Sequence, residues 1–236
     1  TVKMCLGEDS MNSLEKALKY EFKNAEILKK ALTHSSFSKE EGIPRWECNE
    51  RLEFLGDSVL GLIVTQELYE RMLTEKEGKL AKLKSEIVRA ESLEIVANDL
   101  NLGRHLILGR GEEMCGGRRK KNILADALEA VIGGIFLDGG YQVTRKIVLK
   151  LFEQCIDDAF MGKLDTNYKS ALQEIMHKRN VRNLKYTIVK EEGKSHNKVF
   201  YAAVFARSTV IGEGAGKSKK EAENNAAKAA LKKIDD

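Results

Sequence analysis

The chain has 236 residues, of which 42% are hydrophobic and 32% charged, so it can form a folded core and has room for one or two domains. No stretch approaches the ~20 consecutive apolar residues that span a bilayer, and the first residues do not resemble a signal peptide. Its four cysteines, at positions 5, 48, 115 and 155, form no C-x-x-C pair, which argues against a zinc ribbon, a redox dithiol or a disulfide scaffold. We therefore expect a cytoplasmic protein with reduced thiols and no membrane contact.

Charge is distributed unevenly along the chain. Residues 163–236 carry a net charge of +7 and residues 1–162 a net charge of −3, although the whole chain is only +4. A basic C-terminal part is typical of a surface that meets a polyanion, and an acidic N-terminal part can concentrate carboxylates for another purpose. Solvated helix faces also differ in charge by chance, so charge alone leaves nucleic-acid binding undecided.

Up to about residue 160 the apolar spacing is helical, and 162–167 have the character of a short linker. Asn24 is the expected N-cap of a helix that ends near Thr33. Glycine pairs at 116–117, 133–134 and 139–140 indicate turns or close contacts. The longer predicted helices cover residues 46–72, 79–100, 120–137 and 141–159.

Beyond the linker the periodicity changes from helical to mixed. In residues 198–206, Phe200, Ala202 and Val204 alternate onto one face, which predicts a strand. The predicted order is a helix (168–179), three strands (185–191, 198–206, 209–212) and a helix (218–234). The expected fold is thus an all-α domain followed by a small α+β domain of order α-β-β-β-α.

Three acids, Glu50, Glu53 and Asp57, project from one side of the first long helix. At ~1.5 Å rise per residue, Glu53 and Asp57 are about 6 Å apart along the axis and Glu50 is about 10 Å from Asp57. Glu53 and Asp57 are therefore expected as direct metal ligands, with Glu50 in an outer shell or on the substrate. The three carboxylates repel each other, and no Lys or Arg four residues further along the helix relieves Glu53 or Asp57, so a divalent cation is the simplest group that would offset the repulsion. The alternative to a metal site is a solvated acidic stripe.

A second acidic pair, Asp126 and Glu129, lies in an almost wholly apolar helical segment. Acids in such surroundings are unfavourable unless they are paired, protonated or coordinated. Two helices that each offer two carboxylates would build an all-oxygen site suited to Mg²⁺ or Mn²⁺, which points to phosphoryl chemistry. Glu77 is a further candidate, although a solvated role is at least as consistent with its charged neighbours.

Three segments carry a resemblance to a known family. The block E-R-L-E-F-L-G-D-S-V-L at 50–60 closely resembles the signature of ribonuclease III, the double-stranded-RNA endonuclease. I-L-A-D-A-L-E-A-V-I-G-G at 123–134 resembles the second acidic motif of that family, and T-H-S-S-F at 33–37 an earlier segment. The resemblance covers roughly residues 12–160.

The resemblance implies a bacterial-type, all-helical nuclease domain that forms a homodimer, with Phe54 packed across the interface. It implies Mg²⁺-assisted hydrolysis of both strands of duplex RNA, with Mn²⁺ as a substitute, leaving 5′-phosphate and 3′-hydroxyl ends, in rRNA or mRNA precursor processing. Glu50 and Glu77 would have supporting roles near the RNA and the metal. The implied catalytic and metal-binding residues are Glu53, Asp57, Asp126 and Glu129.

The basic C-terminal part resembles a double-stranded-RNA-binding domain. Ser218, Lys219 and Lys220 stand at a helix N-terminus, where backbone N–H groups, the helix dipole and ammonium charges converge on phosphates. By resemblance, Gln173 and Glu174 would face one minor groove of the RNA and the loop that holds His196 the next. The expected organisation is an N-terminal arm (1–11), a nuclease domain (12–160), a linker (161–166) and the RNA-binding domain (167–235).

Two other functions are compatible with parts of the pattern. A duplex-RNA-binding regulator could retain the acidic face without activity, and a phosphatase or nucleotide hydrolase could use the same carboxylates. The basic C-terminal part argues against the second, because a small substrate needs no separate phosphate-tracking domain. The role of the basic cluster 118–121 is open between delivering phosphates to the cleft and a solvated helix start.

Overall fold

The structure, a computed structural model, describes residues 8–161, 168–181, 183–193 and 198–235. The chain divides into two compact units, Thr1–Leu164 and Asp165–Asp236. The first unit is helical, with short 3₁₀ turns at Arg45–Glu47, Leu102–His105 and Gly117–Arg119. Its α-helices are α1 (Glu8–Leu18), α2 (Ala25–Leu32), α3 (Ser35–Glu41), α4 (Glu50–Arg71), α5 (Glu77–Ile87), α6 (Ala90–Asp99), α7 (Arg110–Met114), α8 (Lys121–Leu151) and α9 (Glu153–Phe160).

The predicted N-cap of α2 is confirmed, because the Asn24 side chain accepts the Glu26 backbone N–H at 3.1 Å. The single helix predicted over 79–100 is wrong. Extended backbone at Arg89 separates α5 from α6, so that α5 packs against α4 while α6 packs against α8. One straight helix could not pack against both α4 and α8 in this way. The apolar spacing of the sequence alone does not reveal the break.

The predicted glycine turn near 140 is a kink within α8, where Gly140 has φ 76°. Beside this kink, the Asp138 carboxylate accepts hydrogen bonds from the Tyr20 hydroxyl at 2.6 Å and the Lys23 N–H at 2.9 Å. Helices α1, α3 and α7 were not predicted, and α1 begins at Glu8 inside the expected N-terminal arm. At seven and five residues, α3 and α7 are too short for a clear apolar period.

Helices α4 and α8 form the centre of the first unit. Their facing sides supply fully buried Leu60, Ile63, Leu124 and Leu128, and Phe152 closes the core after α8. Because both helices bury one side, any polar residue on their shared border is held by a rigid frame. None of the helices that the structure describes is long and apolar enough to cross a membrane.

The second unit confirms the predicted α-β-β-β-α order. Strands β1 (Leu184–Glu192) and β3 (Thr209–Gly216) pair antiparallel with the central β2 (Val199–Ala206), and the helices pack on one face of this sheet. Strand β3 extends past the predicted end at 212, because its alternating glycines admit the last helix: a Cβ at Gly214 would lie 2.2 Å from the Ala226 nitrogen. The elements are α10 (Tyr168–Lys178), β1 (Leu184–Glu192), β2 (Val199–Ala206), β3 (Thr209–Gly216) and α11 (Lys219–Asp235).

Candidate metal centre and nucleic-acid interface

Two glycines allow α4 and α8 to cross at backbone contact. A Cβ added at Gly56 would lie 1.7 Å from the Glu129 carbonyl oxygen, and one at Gly133 would lie 2.3 Å from the Leu52 carbonyl oxygen. No other residue type fits either position without moving a helix. This close crossing brings the acids of α4 next to those of α8.

At the crossing, Glu53, Asp126 and Glu129 each offer a carboxylate oxygen within 4.8 Å of the other two. All three side chains are half-buried. Glu53 comes from the first turn of α4, and the other two are one turn apart on α8. The sequence had placed these acids on separate helices, and the tertiary structure joins them in one cluster.

Asp57 lies one turn beyond Glu53 on α4 and is exposed. It is not among the three residues whose oxygens meet within 4.8 Å, but its charge acts on both Glu53 and Glu129. The structure therefore assembles three of the four predicted acids and holds the fourth at the border of the same site.

Burial raises the pKa of all three acids, and for Glu53 and Glu129 the neighbouring carboxylates add to the effect. Burial, followed by the charges of Asp57, Glu53 and Asp126, raises the pKa of Glu129 to about 8. Burial also raises the pKa of Glu53 and of Asp126. No ion pair found among the described residues involves a member of this cluster, so within that part of the chain no Lys or Arg is paired with these carboxylates.

The donor set fits a hard divalent cation. Half-buried carboxylates without a cationic partner are unfavourable, and an ion bound by oxygen ligands would relieve both desolvation and repulsion. Glu53, Asp126 and Glu129 could supply one ligand oxygen each, and Asp57 could reach the same ion directly or through water. Such an all-oxygen donor set is typical of sites for hard rather than soft metal ions.

The two acids that were expected in supporting roles, Glu50 and Glu77, are not among the three whose oxygens meet. Glu50 binds the Arg45 guanidinium at 2.7 and 3.1 Å, and this contact lowers the pKa of Glu50. Glu77 is exposed as the first residue of α5. Lys84, also on α5, approaches α4 one turn beyond Asp57. Its ammonium nitrogen lies 3.3 Å from the position that a Cβ added at Gly61 would occupy. No sequence signal had identified Lys84.

The patterns of charged and apolar residues did not single out His34, although it belongs to the T-H-S-S-F segment. It is half-buried, and the carboxylates of Glu112, Asp126 and Glu50 and the Lys39 ammonium act on it electrostatically. Burial lowers the pKa of its imidazole, which favours the neutral ring. The segment's resemblance to the family was the only signal in the sequence.

Three side chains of the basic cluster at 118–121 make polar contacts within the first unit. The Arg118 guanidinium donates to the carbonyl oxygens of Gly103 and Leu106, both at 2.9 Å. Lys120 pairs with Glu112 at 2.5 Å, and Lys121 pairs with Glu91 at 2.7 Å. These contacts hold Arg118, Lys120 and Lys121 against the first unit, and Arg119 is exposed.

Phe54 stands out on the surface of α4. Its side chain is 78% exposed, and it borders a cavity of about 670 Å³ whose lining includes Ile27, Leu55 and Leu137. Leu62 and Tyr69, farther along α4 on the same side, are also exposed. An exposed apolar strip of this kind is typical of an interface.

In the second unit, the predicted RNA-binding residues lie on two helices. The Ser218 hydroxyl accepts the Glu221 N–H at 3.2 Å and caps α11, whose first two residues, Lys219 and Lys220, are exposed. Gln173 and Glu174 line a shallow surface depression on α10. The predicted contact at His196 lies outside the described residues.

Comparison with known proteins identifies both units. A family model described as "Ribonuclease-III-like" matches residues 24–155, and the "Double-stranded RNA binding motif" matches residues 168–234. Ribonuclease 3 of Caldanaerobacter subterraneus subsp. tengcongensis is 44% identical over 221 residues, which cover 94% of this chain and 96% of that protein. Ribonuclease 3 of Borreliella burgdorferi is 44% identical over 98% of this chain and 95% of its own.

Among solved structures, the nuclease domain of ribonuclease III from Campylobacter jejuni aligns with a TM-score of 0.57 at 44% sequence identity. It covers 61% of this chain and 96% of its own, and it is described as having a region involved in dimer formation. A match over part of this chain is expected from an isolated nuclease domain, because this chain also contains the second unit.

Proposed function

As the chain belongs to the ribonuclease III family, it is an endoribonuclease of double-stranded RNA, and we propose that it hydrolyses phosphodiester bonds of both strands with water activated by Mg²⁺, leaving 5′-phosphate and 3′-hydroxyl ends. The observation that carries this proposal is the cluster of Glu53, Asp126 and Glu129 at the α4–α8 crossing. Half-buried acids with raised pKa values, held by a rigid helix pair, are typical of a functional site.

The catalytic residues we propose are Glu53, Asp57, Asp126 and Glu129, which would also hold the ion. Enzymes of this family depend on a metal, and the all-oxygen donor set supports Mg²⁺, with Mn²⁺ as a substitute. When bound, such an ion supplies Lewis-acid activation of water and stabilises charge on the leaving oxygen. The helices keep the carboxylates in place, so little reorganisation is needed when the substrate arrives. Glu50 and Glu77 would support the site from its border.

We propose that the second unit holds the duplex through phosphates and 2′-hydroxyls. The capped N-terminus of α11, with exposed Lys219 and Lys220, supports a phosphate contact, and Gln173 and Glu174 of α10 support a minor-groove contact. His196 would complete the interface from its loop. A deep, narrow major groove excludes side chains, so this binding would read the shape of A-form RNA rather than its sequence.

We further propose that two copies of the chain form a homodimer through Phe54 and the neighbouring apolar cavity. Two-fold symmetry would place each Phe54 in the cavity of the partner, and the pair of sites would cut both strands. The resulting enzyme would process rRNA or mRNA precursors in the cytoplasm.

The decisive experiment uses Glu129→Gln, which keeps the size of the side chain and removes its charge. We expect this variant to bind duplex RNA with nearly unchanged affinity while the Mg²⁺-dependent cleavage rate falls by at least about 100-fold. The control is Glu153→Gln, which neutralises an exposed acid of α9 and should cleave at the normal rate.

Normal cleavage by Glu129→Gln would remove the acid cluster from the active site. If the unaltered protein bound duplex RNA but did not cut it with Mg²⁺ or Mn²⁺, the regulator hypothesis would replace the nuclease.

A further inference from the structure

The T-H-S-S-F segment is held directly against the start of α4. The Thr33 carbonyl oxygen accepts the Asn49 N–H at 2.8 Å, and the His34 N–H donates to the Ile107 carbonyl oxygen at 3.0 Å. Asn49 is the residue that precedes α4. One backbone hydrogen bond of His34 and one of its neighbour Thr33 therefore hold this segment at the start of the helix that carries Glu53.

The hydrogen bonds of the imidazole define which ring nitrogen carries the proton. Nδ1 of His34 accepts the Ser36 backbone N–H at 3.2 Å, which caps α3, and lies 2.8 Å from the Ser36 hydroxyl oxygen. A backbone N–H can only donate, so Nδ1 has no proton in the neutral ring and Nε2 carries it. The same Ser36 oxygen accepts the Gly109 N–H at 2.9 Å, which leaves the hydroxyl proton for Nδ1.

The opposite edge of the ring, at Nε2, differs from the Nδ1 edge. Within the part of the chain that the structure describes, no hydrogen bond is found for Nε2 of His34, although the charge of Asp126 acts on the ring. Glu50 and Glu112 also act on it from α4 and α7, and Lys39 from α3. A fixed, neutral N–H donor is thus exposed to the field of the acidic residues, and no acceptor for it is found among the described residues.

A phosphate next to three carboxylates needs hydrogen-bond donors that do not displace the metal ion. A lysine or arginine would compete with that ion for the carboxylates, whereas a neutral imidazole N–H donates without adding charge. We propose that His34 contacts the substrate, with its Nε2–H donating to a non-bridging oxygen of the scissile phosphodiester. This inference rests on the proposed function, because it needs RNA bound at the acidic cluster.

The test separates the capping role of His34 from a contact with RNA. In His34→Asn, the amide oxygen can accept the Ser36 N–H as Nδ1 does, and asparagine is a favoured N-cap, but nothing replaces Nε2. In His34→Gln, the longer side chain carries an N–H to the region of Nε2 but caps poorly. His34→Ala removes both groups.

We expect His34→Asn to unfold at the temperature of the unaltered protein and to bind duplex RNA normally in EDTA. Its single-turnover cleavage rate at saturating RNA and Mg²⁺ should fall about 100-fold, as when one donor to a reacting oxyanion is lost. His34→Gln should recover part of that rate despite a lower melting temperature.

Normal cleavage by His34→Asn would overturn the inference and leave His34 as a helix cap, as would a loss confined to RNA affinity. A rate that follows the melting temperature through the three variants would overturn it equally. If the unaltered protein itself does not cut duplex RNA, the proposed function fails instead, so the two failures are distinguishable.

Discussion

Glu129 is the residue on which burial and neighbouring charge act together most strongly. Its folded-state pKa of about 8 lies above the ordinary 4.5, so the native protein keeps a proton that the unfolded chain releases. The stability that this proton contributes is fully present below about pH 4.5 and is lost as the pH rises toward 8. Glu53 and Asp126, whose pKa values are also raised, act in the same direction.

We therefore predict that Glu129→Gln stabilises the metal-free protein at pH 8 and has little effect at pH 5. The group is partly accessible to solvent, so we expect only about 1–2 kcal/mol rather than the full linkage value. Thermal unfolding in EDTA at both pH values measures the difference. A gain in stability of equal size at pH 5 and pH 8 would show that the raised pKa of Glu129 is not its cause.

At the scale of elements, the active site depends on how closely α4 and α8 approach. We predict that Gly56→Ala destabilises the protein by about 1–3 kcal/mol and abolishes cleavage, because its Cβ must separate the helix carrying Glu53 from the helix carrying Glu129. Urea unfolding and a duplex cleavage assay measure both effects.

Gly78 of α5 provides the matched control for Gly56. Nothing lies within 4 Å of its Cβ position, so Gly78→Ala should be neutral or raise stability by about 0.5–1 kcal/mol through helix propensity. Equal destabilisation by the two substitutions would show that the close contact between α4 and α8 is not the reason that position 56 requires glycine.

The two ends of α11 allow a similar comparison for RNA binding. Replacing Lys219 and Lys220 together by Ala should weaken duplex binding and reduce the slope of log affinity against log salt by about 1–2. Replacing Lys232 and Lys233 removes the same charge from the exposed C-terminal turn and should leave the slope nearly unchanged. Equal slopes for both double variants would exclude the N-terminus of α11 from the interface.

At the scale of the whole molecule, Phe54 tests the proposed dimer. Each dimer would bury two copies of this exposed side chain, so Phe54→Ala should raise the dimer dissociation constant by at least about 10-fold. Sedimentation equilibrium measures that constant. Met114→Ala, which truncates an even more exposed apolar side chain on α7, is the control and should leave it unchanged. A monomeric protein that still cut both strands would contradict the dimer.

The sequence was sufficient to predict the helical first unit, the α-β-β-β-α second unit and both acidic pairs. The acids could be found because helical periodicity places Glu53 with Asp57, and Asp126 with Glu129, before any tertiary contact is known. Breaks such as that at Arg89 were missed because they depend on which partner each helix packs against.

The sequence by itself determined the chemistry that each element carries: oxygen ligands on two helices, a basic capped helix in the second unit, and an apolar side chain on α4. Only the tertiary structure decided which of these groups meet. Glu53, Asp126 and Glu129 come together because Gly56 and Gly133 let two backbones touch, whereas Asp57 remains at the border and His34 arrives from a separate segment. Periodicity describes one helix at a time, and the distance between two helices is set by the packing of their side chains.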